Sequence, residues 1–205
     1  SLEPFHNKIH EIIFSDGASV DGTLQLINEY EFHSKIIISE PDDGIADAWN
    51  KGVHASSGDW LLFLNAGDYL HFNYFDAVND NLNKDANFMY CDVIRFDPNK
   101  NHIVNTIKGK KPDLSRIYYG GVGFGHPGSI IQKELLIKLG AFDSRKKIAM
   151  DSDLILRALL DGCKFSYFKS CAYMATGGVS DIKIYSSLKD YYDCFVPLGL
   201  LKKWQ

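Results

Sequence analysis

The chain has 205 residues, 45% of them hydrophobic and 23% charged, with a formal net charge of −4. That length suits one α/β domain able to bury a proper core, and the ordinary composition excludes a disordered or low-complexity chain. The acid excess argues against a nucleic-acid binder, which shows a basic face, and no apolar run approaches the roughly 18–20 residues that span a bilayer.

The opening stretch Ser1–His10 (SLEPFHNKIH) is polar and interrupted by proline, unlike a signal peptide. The four cysteines, Cys91, Cys163, Cys171 and Cys194, lie far apart without a C-x-x-C pair. They read as reduced, mostly buried thiols of a cytoplasmic protein rather than zinc ligands or a redox pair.

Glu11–Phe14 (EIIF) is a short apolar strand running into the turn Ser15-Asp16-Gly17. Asp21 caps a helix whose apolar positions include Leu24, Ile27 and Tyr30. Ile36–Ser39 (IIIS) is a β-branched strand closed by the turn Glu40–Gly44 (EPDDG). A helix follows, with Ile45, Ala48, Trp49, Gly52 and Val53 along one face and Gly58 as a stop signal. Trp60–Leu64 (WLLFL) is then an apolar strand ending at Asn65-Ala66-Gly67-Asp68. Strands alternating with helices imply right-handed βαβ units in a parallel sheet, whose ligands sit beyond the carboxyl ends of the strands. Those ends carry Asp16, Glu40 to Asp43, and Asn65 to Asp68, expected to converge on one rim.

In the second half, Phe88–Phe96 is a strand closed by Asp97-Pro98-Asn99, and Tyr118–Gly128 (YYGGVGFGHPG) is a glycine-rich loop. Ser129–Gln132 is a short strand, and Glu134–Leu139 a helix stopped by Gly140. A further helix covers about Ser152 to Leu160, with Leu154, Ile155, Ala158 and Leu159 inward and Gly162 as its end. With no repeat and no linker, residues 1–205 form a single domain, 181–205 being a C-terminal tail.

The blocks SDGASVDGT (15–23), SEPDDGIADAWNKG (39–52), GDWLLFLNAGD (58–68), HPGSIIQKELLIKLGAFD (126–143) and AMDSDLILR (149–157) together resemble the family 2 glycosyltransferases. The likeness is greatest to bacterial enzymes of surface-polysaccharide synthesis, and spans about Glu11 to Ser180 with the blocks in order. It implies the GT-A fold of nucleotide-diphospho-sugar transferases, α/β with a mostly parallel central sheet flanked by helices. It also implies a nucleotide-sugar donor (a UDP-sugar as first choice), a divalent metal, Mg²⁺ or Mn²⁺, and inversion at the anomeric carbon. The acceptor by analogy is a hydroxyl of a glycan or lipid-linked glycan, at the cytoplasmic face of the membrane, with peripheral membrane association. The family's first strand, which contacts the nucleotide, has no counterpart before Ser15.

Glycosyl transfer requires neutralisation of the leaving diphosphate, deprotonation of the acceptor hydroxyl and alignment of the donor. By the resemblance, Asp16 hydrogen-bonds the nucleotide base; its plain alternative is a turn residue before Gly17. Asp43, Asp47 and Asn50 border the donor, or form a solvated polar face. In a block where the family carries Asp-x-Asp-Asp and this chain reads NAGD, either Asp68 is the metal ligand with Asn65 assisting or the dependence on metal is weak; the plain alternative for Asp68 is a turn residue after Gly67. Asp151 is the general base, with helix capping as its rival role, while Asp153 holds the structural position and Met150 replaces an acidic neighbour. His126 lies near the donor sugar or acceptor, or is a packing residue. Arg145, Lys146 and Lys147 clamp the diphosphate or form a solvated turn. The tail aromatics Tyr185, Tyr191, Tyr192, Phe195 and Trp204, interleaved with Lys189, Lys202 and Lys203, pack back on the domain or rest on a membrane. Two rival functions fit the same pattern: a sugar nucleotidyltransferase, which should open with a glycine-rich basic phosphate loop, and a non-catalytic nucleotide-sugar-binding relative.

Overall fold

The computed structural model describes residues 2–82 and 85–200, apart from the side chains of 119 and 120, so Lys202, Lys203 and Trp204 lie outside the described residues. The chain begins β1 (Ile12–Asp16), α1 (Thr23–Glu29), β2 (Lys35–Ser39), α2 (Ile45–Ala55), β3 (Trp60–Leu62) and β4 (Tyr69–Leu70). It continues α3 (Tyr74–Leu82), β5 (Phe88–Asp97), β6 (His102–Ile107), α4 (Ile117–Gly120), β7 (Ser129–Gln132) and α5 (Lys133–Lys138). The remaining elements are α6 (Met150–Leu160), β8 (Phe165–Ala175), α7 (Val179–Ile182) and α8 (Ile184–Tyr192).

The expected α/β class, helices around a central sheet, holds. The strands are mixed in direction, however, where a mostly parallel sheet was expected. β1 pairs with β2 in parallel as a two-stranded sheet, and β3, β7, β5, β8 and β4 form a second sheet in that order, with β6 on β5. Within it β5 and β8 run parallel, while β3–β7, β5–β7, β5–β6 and β4–β8 are antiparallel. The reason lies in the connections: the short turn after Asp97 folds β6 straight back on β5, a hairpin that only antiparallel strands can make. β7, entering from the glycine-rich loop, then sits antiparallel between β3 and β5.

β5 divides the core. Successive side chains of a strand point to opposite faces, and here Phe88 and Tyr90 join one apolar cluster while Met89 and Cys91 join the other. β7 does the same with Ile131 and Ile130. The first cluster is covered by α6, whose Leu154, Ile155 and Ala158 are fully buried, and by Phe195 beyond α8. The second is covered by α3 through Tyr74 and Val78, and by Phe5 near the amino end. The tail therefore packs back through Cys194 and Phe195, while Tyr185 stays exposed. All four cysteines are free thiols, two of them buried.

Two polar links fix the pieces that carry the site. Asn50 on α2 grips the backbone of Phe142, donating to its carbonyl at 2.8 Å and accepting its N–H at 2.9 Å. Arg157 on α6 pairs with Asp153 at 2.8 Å and donates to the carbonyls of Leu139 at 2.6 Å and Ala141 at 2.8 Å, satisfying the end of α5. Asp153 thus has the structural role expected of it. Gly123 needs its freedom: its φ is +102°, and a Cβ there would stand 2.6 Å from the Lys110 carbonyl oxygen.

Because Leu154 is wholly buried against a β5 face that is otherwise filled, Leu154→Ala should cost about 2–5 kcal/mol of folding free energy. Urea unfolding should show the midpoint fall with little change in slope; a midpoint within error of wild type would contradict this account of the core.

Candidate active site

Asp68 follows β3 through a turn that Gly67 closes with φ +91°, a conformation open to glycine at little cost. Its Oδ1 accepts the N–H of Ala175, the last residue of β8, at 3.0 Å. The residue is 5% exposed, yet Oδ2 is buried without any hydrogen-bond partner. Burial raises this carboxyl above the ordinary carboxylate range, against the lowering effects of the Ala175 N–H and of the Asn65 backbone and side chain. A buried carboxylate oxygen without a hydrogen-bond partner can accept from a ligand donor or take a cation. Among the described residues no group of three or more His, Cys, Asp or Glu could enclose a metal. Asp68 is one carboxylate with the Asn65 amide in the same turn, a donor set of the kind that Mg²⁺ takes when substrate phosphate and water fill its other positions.

Asp151 stands in the first turn of α6, where the helix dipole favours a negative charge. It is half-buried, and its Oδ1 accepts the Ser152 N–H at 2.7 Å. Burial is the largest influence and raises the Asp151 carboxyl; the Ser152 N–H lowers it, and the nearby Asp190 raises it further. Such a group is a stronger base than an ordinary carboxylate.

His126 opens the turn His126–Gly128 and is 4% exposed. Its ring stacks on Trp49 at 4.9 Å and 21°, with Phe63 and Phe142 completing an aromatic cage. Burial pushes the imidazole down from 6.5 to about 4, so it remains neutral at physiological pH.

One cavity of about 1240 Å³ is lined by Asn65, Asp68, His126 and Asp151 together, above the upper end of the size range of small-ligand sites. Four sequence-derived candidates meet there. Asp16, Asp43, Asp47 and Asn50 are not among its lining residues: Asp16 ends a strand of the separate β1–β2 sheet, and α2 lines the cavity with Ile45 and Trp49 instead. Asp16 nevertheless is held in place: its Oδ2 accepts the Ser19 N–H at 3.0 Å and the Ser39 hydroxyl at 2.7 Å. Ser19 first, then Ser39, keeps its carboxyl below the usual range. Asp47 accepts the Asp43 N–H at 3.1 Å and pairs with Lys51 at 3.2 Å. Lys147 lines the cavity and donates to the Asp43 carbonyl at 2.7 Å, joining the two regions. Arg145 turns away onto Asp143 at 2.8 Å, and Lys146 is buried.

Parts of the wall escaped the sequence reading: Thr106, Lys108 and Lys110 at the end of β6 and beyond, and Met174 to Thr176 at the end of β8. For β6 the run HIVNTI carried a signal in its β-branched residues. That it would face Asp151 depends on pairing across the fold, which no local pattern encodes.

The depressed His126 value has a consequence for stability. Unfolded chain takes up a proton near pH 6.5 that the folded protein refuses until about pH 4, so this contribution is complete above 6.5 and is lost as pH falls. Between pH 7 and pH 5 the wild type should lose about 2 kcal/mol more stability than His126→Phe. Urea unfolding at the two pH values checks this, and equal losses in both proteins would refute the neutral buried imidazole.

Residues 5–140, more than half of the chain, match the model of Glycosyl transferase family 2. An uncharacterized glycosyltransferase of Haemophilus influenzae is 26% identical over 155 residues, 73% of this chain and 52% of its own length. A PGL/p-HBAD biosynthesis glycosyltransferase of Mycobacterium bovis is 27% identical over 186 residues, 83% of this chain and 68% of its own. Thus the chain spans about half the length of the first of these relatives. Among solved structures, S. aureus TarS 1-349 in complex with UDP-GlcNAc superposes with a TM-score of 0.69 at 18% identity, over 100% of this chain and 63% of that one. The mannosyltransferase PcManGT from Pyrobaculum calidifontis, in complex with GDP-Man and Mn²⁺, gives 0.66 at 16% identity, over 95% and 56%. These likenesses establish the GT-A fold, and with the family match over residues 5–140 they place the chain in glycosyl transferase family 2.

Proposed function

We propose that the chain is the catalytic unit of an inverting glycosyltransferase that moves a sugar from a nucleoside-diphosphate sugar to an acceptor hydroxyl. The observation that carries this reading is the shared cavity: a buried carboxylate with an unpartnered oxygen, Asp68, lines the same space as the half-buried Asp151. In one displacement the acceptor oxygen attacks the anomeric carbon, the bond from that carbon to the diphosphate breaks, and the hydroxyl proton passes to Asp151. Lys147, exposed at the cavity wall, offsets the charge of the departing diphosphate. Asp68 with Asn65 would hold a divalent cation, which when bound supplies charge neutralisation at the diphosphate. Asp16, preset by Ser19 and Ser39, is assigned to the nucleotide base, with Asp43 and Asp47 beside the donor. His126 supplies a neutral wall at the sugar. Asn50 is left out, its amide being taken by Phe142.

The donors bound by TarS and PcManGT, UDP-GlcNAc and GDP-Man, guide the choice of nucleotide, with a UDP-sugar tested first. A glycan or lipid-linked glycan is the proposed acceptor. Among the described residues no helix is long and apolar enough to cross a membrane, and a peripheral position on the cytoplasmic face is the arrangement we propose.

A thermal-shift screen with UDP, UDP-GlcNAc, GDP and GDP-mannose in Mn²⁺ should raise the midpoint for one nucleotide pair, since a ligand at a hundred times its Kd stabilises by about 2.7 kcal/mol. With that donor, Asp151→Asn should lower kcat by about 10²–10⁴-fold while donor Kd stays unchanged; undiminished turnover would remove Asp151 from the role. Wild-type kcat should fall on the acid side at a pH above the ordinary carboxylate range, because the raised Asp151 must be ionised to accept a proton. Asp68→Ala should abolish the gain in donor affinity that Mn²⁺ gives in titration calorimetry, and an equal Mn²⁺ effect in both proteins would dismiss Asp68 as the ligand.

A further inference from the structure

Helix α6 starts without a side-chain cap from the residue before it, since Ala149 offers no hydrogen-bonding group. Asp151, the one first-turn carboxylate at the cavity, spends Oδ1 on its own neighbour Ser152. The two N–H groups entering the helix, those of Ile148 and Ala149, are taken instead by a single oxygen from another helix. Asp190 Oδ2 on α8 accepts them at 2.8 and 2.9 Å, across 42 and 41 residues of sequence.

α8 is itself pinned on the far side of the cavity, where the Tyr191 hydroxyl donates to the Ile117 carbonyl at 2.7 Å and that of Tyr192 to the Tyr118 carbonyl at 3.2 Å. Both tyrosines line the cavity. A helix tied to α4 on one flank thereby grips the entry to α6 on the other. Two carboxylates bracket that entry, Asp151 on the cavity side and Asp190 behind it.

We propose that Asp190 is a positioning residue, which fixes the 148–149 turn from α8 and so sets the aim of Asp151 into the cavity. This inference rests on the assignment of Asp151 as base. A shift of about 1 Å in a reacting group can cost about 10²-fold in rate, which is why a fixed turn behind the base matters. The charged and titratable groups around Asp151 are Asp190 and Cys194 from the tail, Asp153 on α6, and Lys146 on the preceding loop. Of these, Asp190 is the like charge that acts on Asp151 beyond burial.

The test needs no substrate. Carbon-13 carboxyl titration of Asp151, and hydrogen exchange at the Ile148 and Ala149 amides, are followed in the full chain, in Asp190→Asn and in Asp190→Ala. Asp190→Asn removes the charge but keeps an oxygen that can accept both N–H groups. Its Asp151 midpoint should fall while exchange at the two amides stays within about twofold of wild type. Asp190→Ala removes the acceptor, and the two amides should exchange at least about tenfold faster while those of Leu154 and Ile155 do not. Unchanged exchange at the two amides in Asp190→Ala, or an Asp151 midpoint in Asp190→Ala identical to that in Asp190→Asn, overturns the proposal. Full turnover by Asp151→Asn would end the base assignment alone and leave both readouts standing, so the two failures are separable.

Discussion

The parallel pairing of β5 with β8 is the constraint on which the rest of the molecule depends. These are the longest strands, ten and eleven residues, and parallel neighbours require a covered crossover between them. The chain from β5 to β8 supplies it, through β6, α4, β7, α5 and α6. Because β5 lies between β7 and β8, its two faces are each sealed by a separate apolar cluster, α6 over one and α3 over the other. With both faces closed, ligands are left the strand ends. There β8 finishes at Ala175, whose N–H takes hold of Asp68, and the cavity opens beside it.

The polar chemistry of the site follows from that depth. A carboxylate at the water-exposed end of a sheet would be an ordinary acid. Asp68 and Asp151 are instead raised chiefly by burial, and His126 is lowered by the same cause acting on a base. Asp16, on the separate β1–β2 pair, moves the opposite way because hydroxyl and amide donors surround it. The acidic residues therefore differ in character according to the layer that carries them, in keeping with the separate roles proposed for them.

Much of this was legible in the residues. α2 announced itself through Ile45, Trp49 and Val53 on one face, and all three pack against the larger core. The turn NAGD and the acidic start of α6 pointed to Asp68 and Asp151 through the resemblance to the family, while the hydrophobic pattern placed each at an element boundary. β8 escaped notice for a physical reason. Its buried positions are only Phe168 and Ala172, with the polar Lys169 and Ser170 between them, and a register irregularity opposite Tyr90 to Asp92 falls in that stretch, so the apolar signal that marks a strand is sparse. The direction of β3 and β7 was hidden too, because an apolar run such as WLLFL suits either sense of pairing. The cavity wall from β6 and α8 is assembled by contacts across the whole chain, and no window of sequence contains it.

The grip of Asn50 on Phe142 carries one more implication. Its carboxamide is acting as a detached peptide unit, offering one donor and one acceptor to a backbone that wants both. Aspartate would match only the N–H and set its second oxygen against a carbonyl; leucine would match neither; glutamine would overreach by a methylene. The position is thus defined by reciprocity rather than by size or polarity, and the junction between the second helix and the approach to the sixth has no substitute among the common side chains.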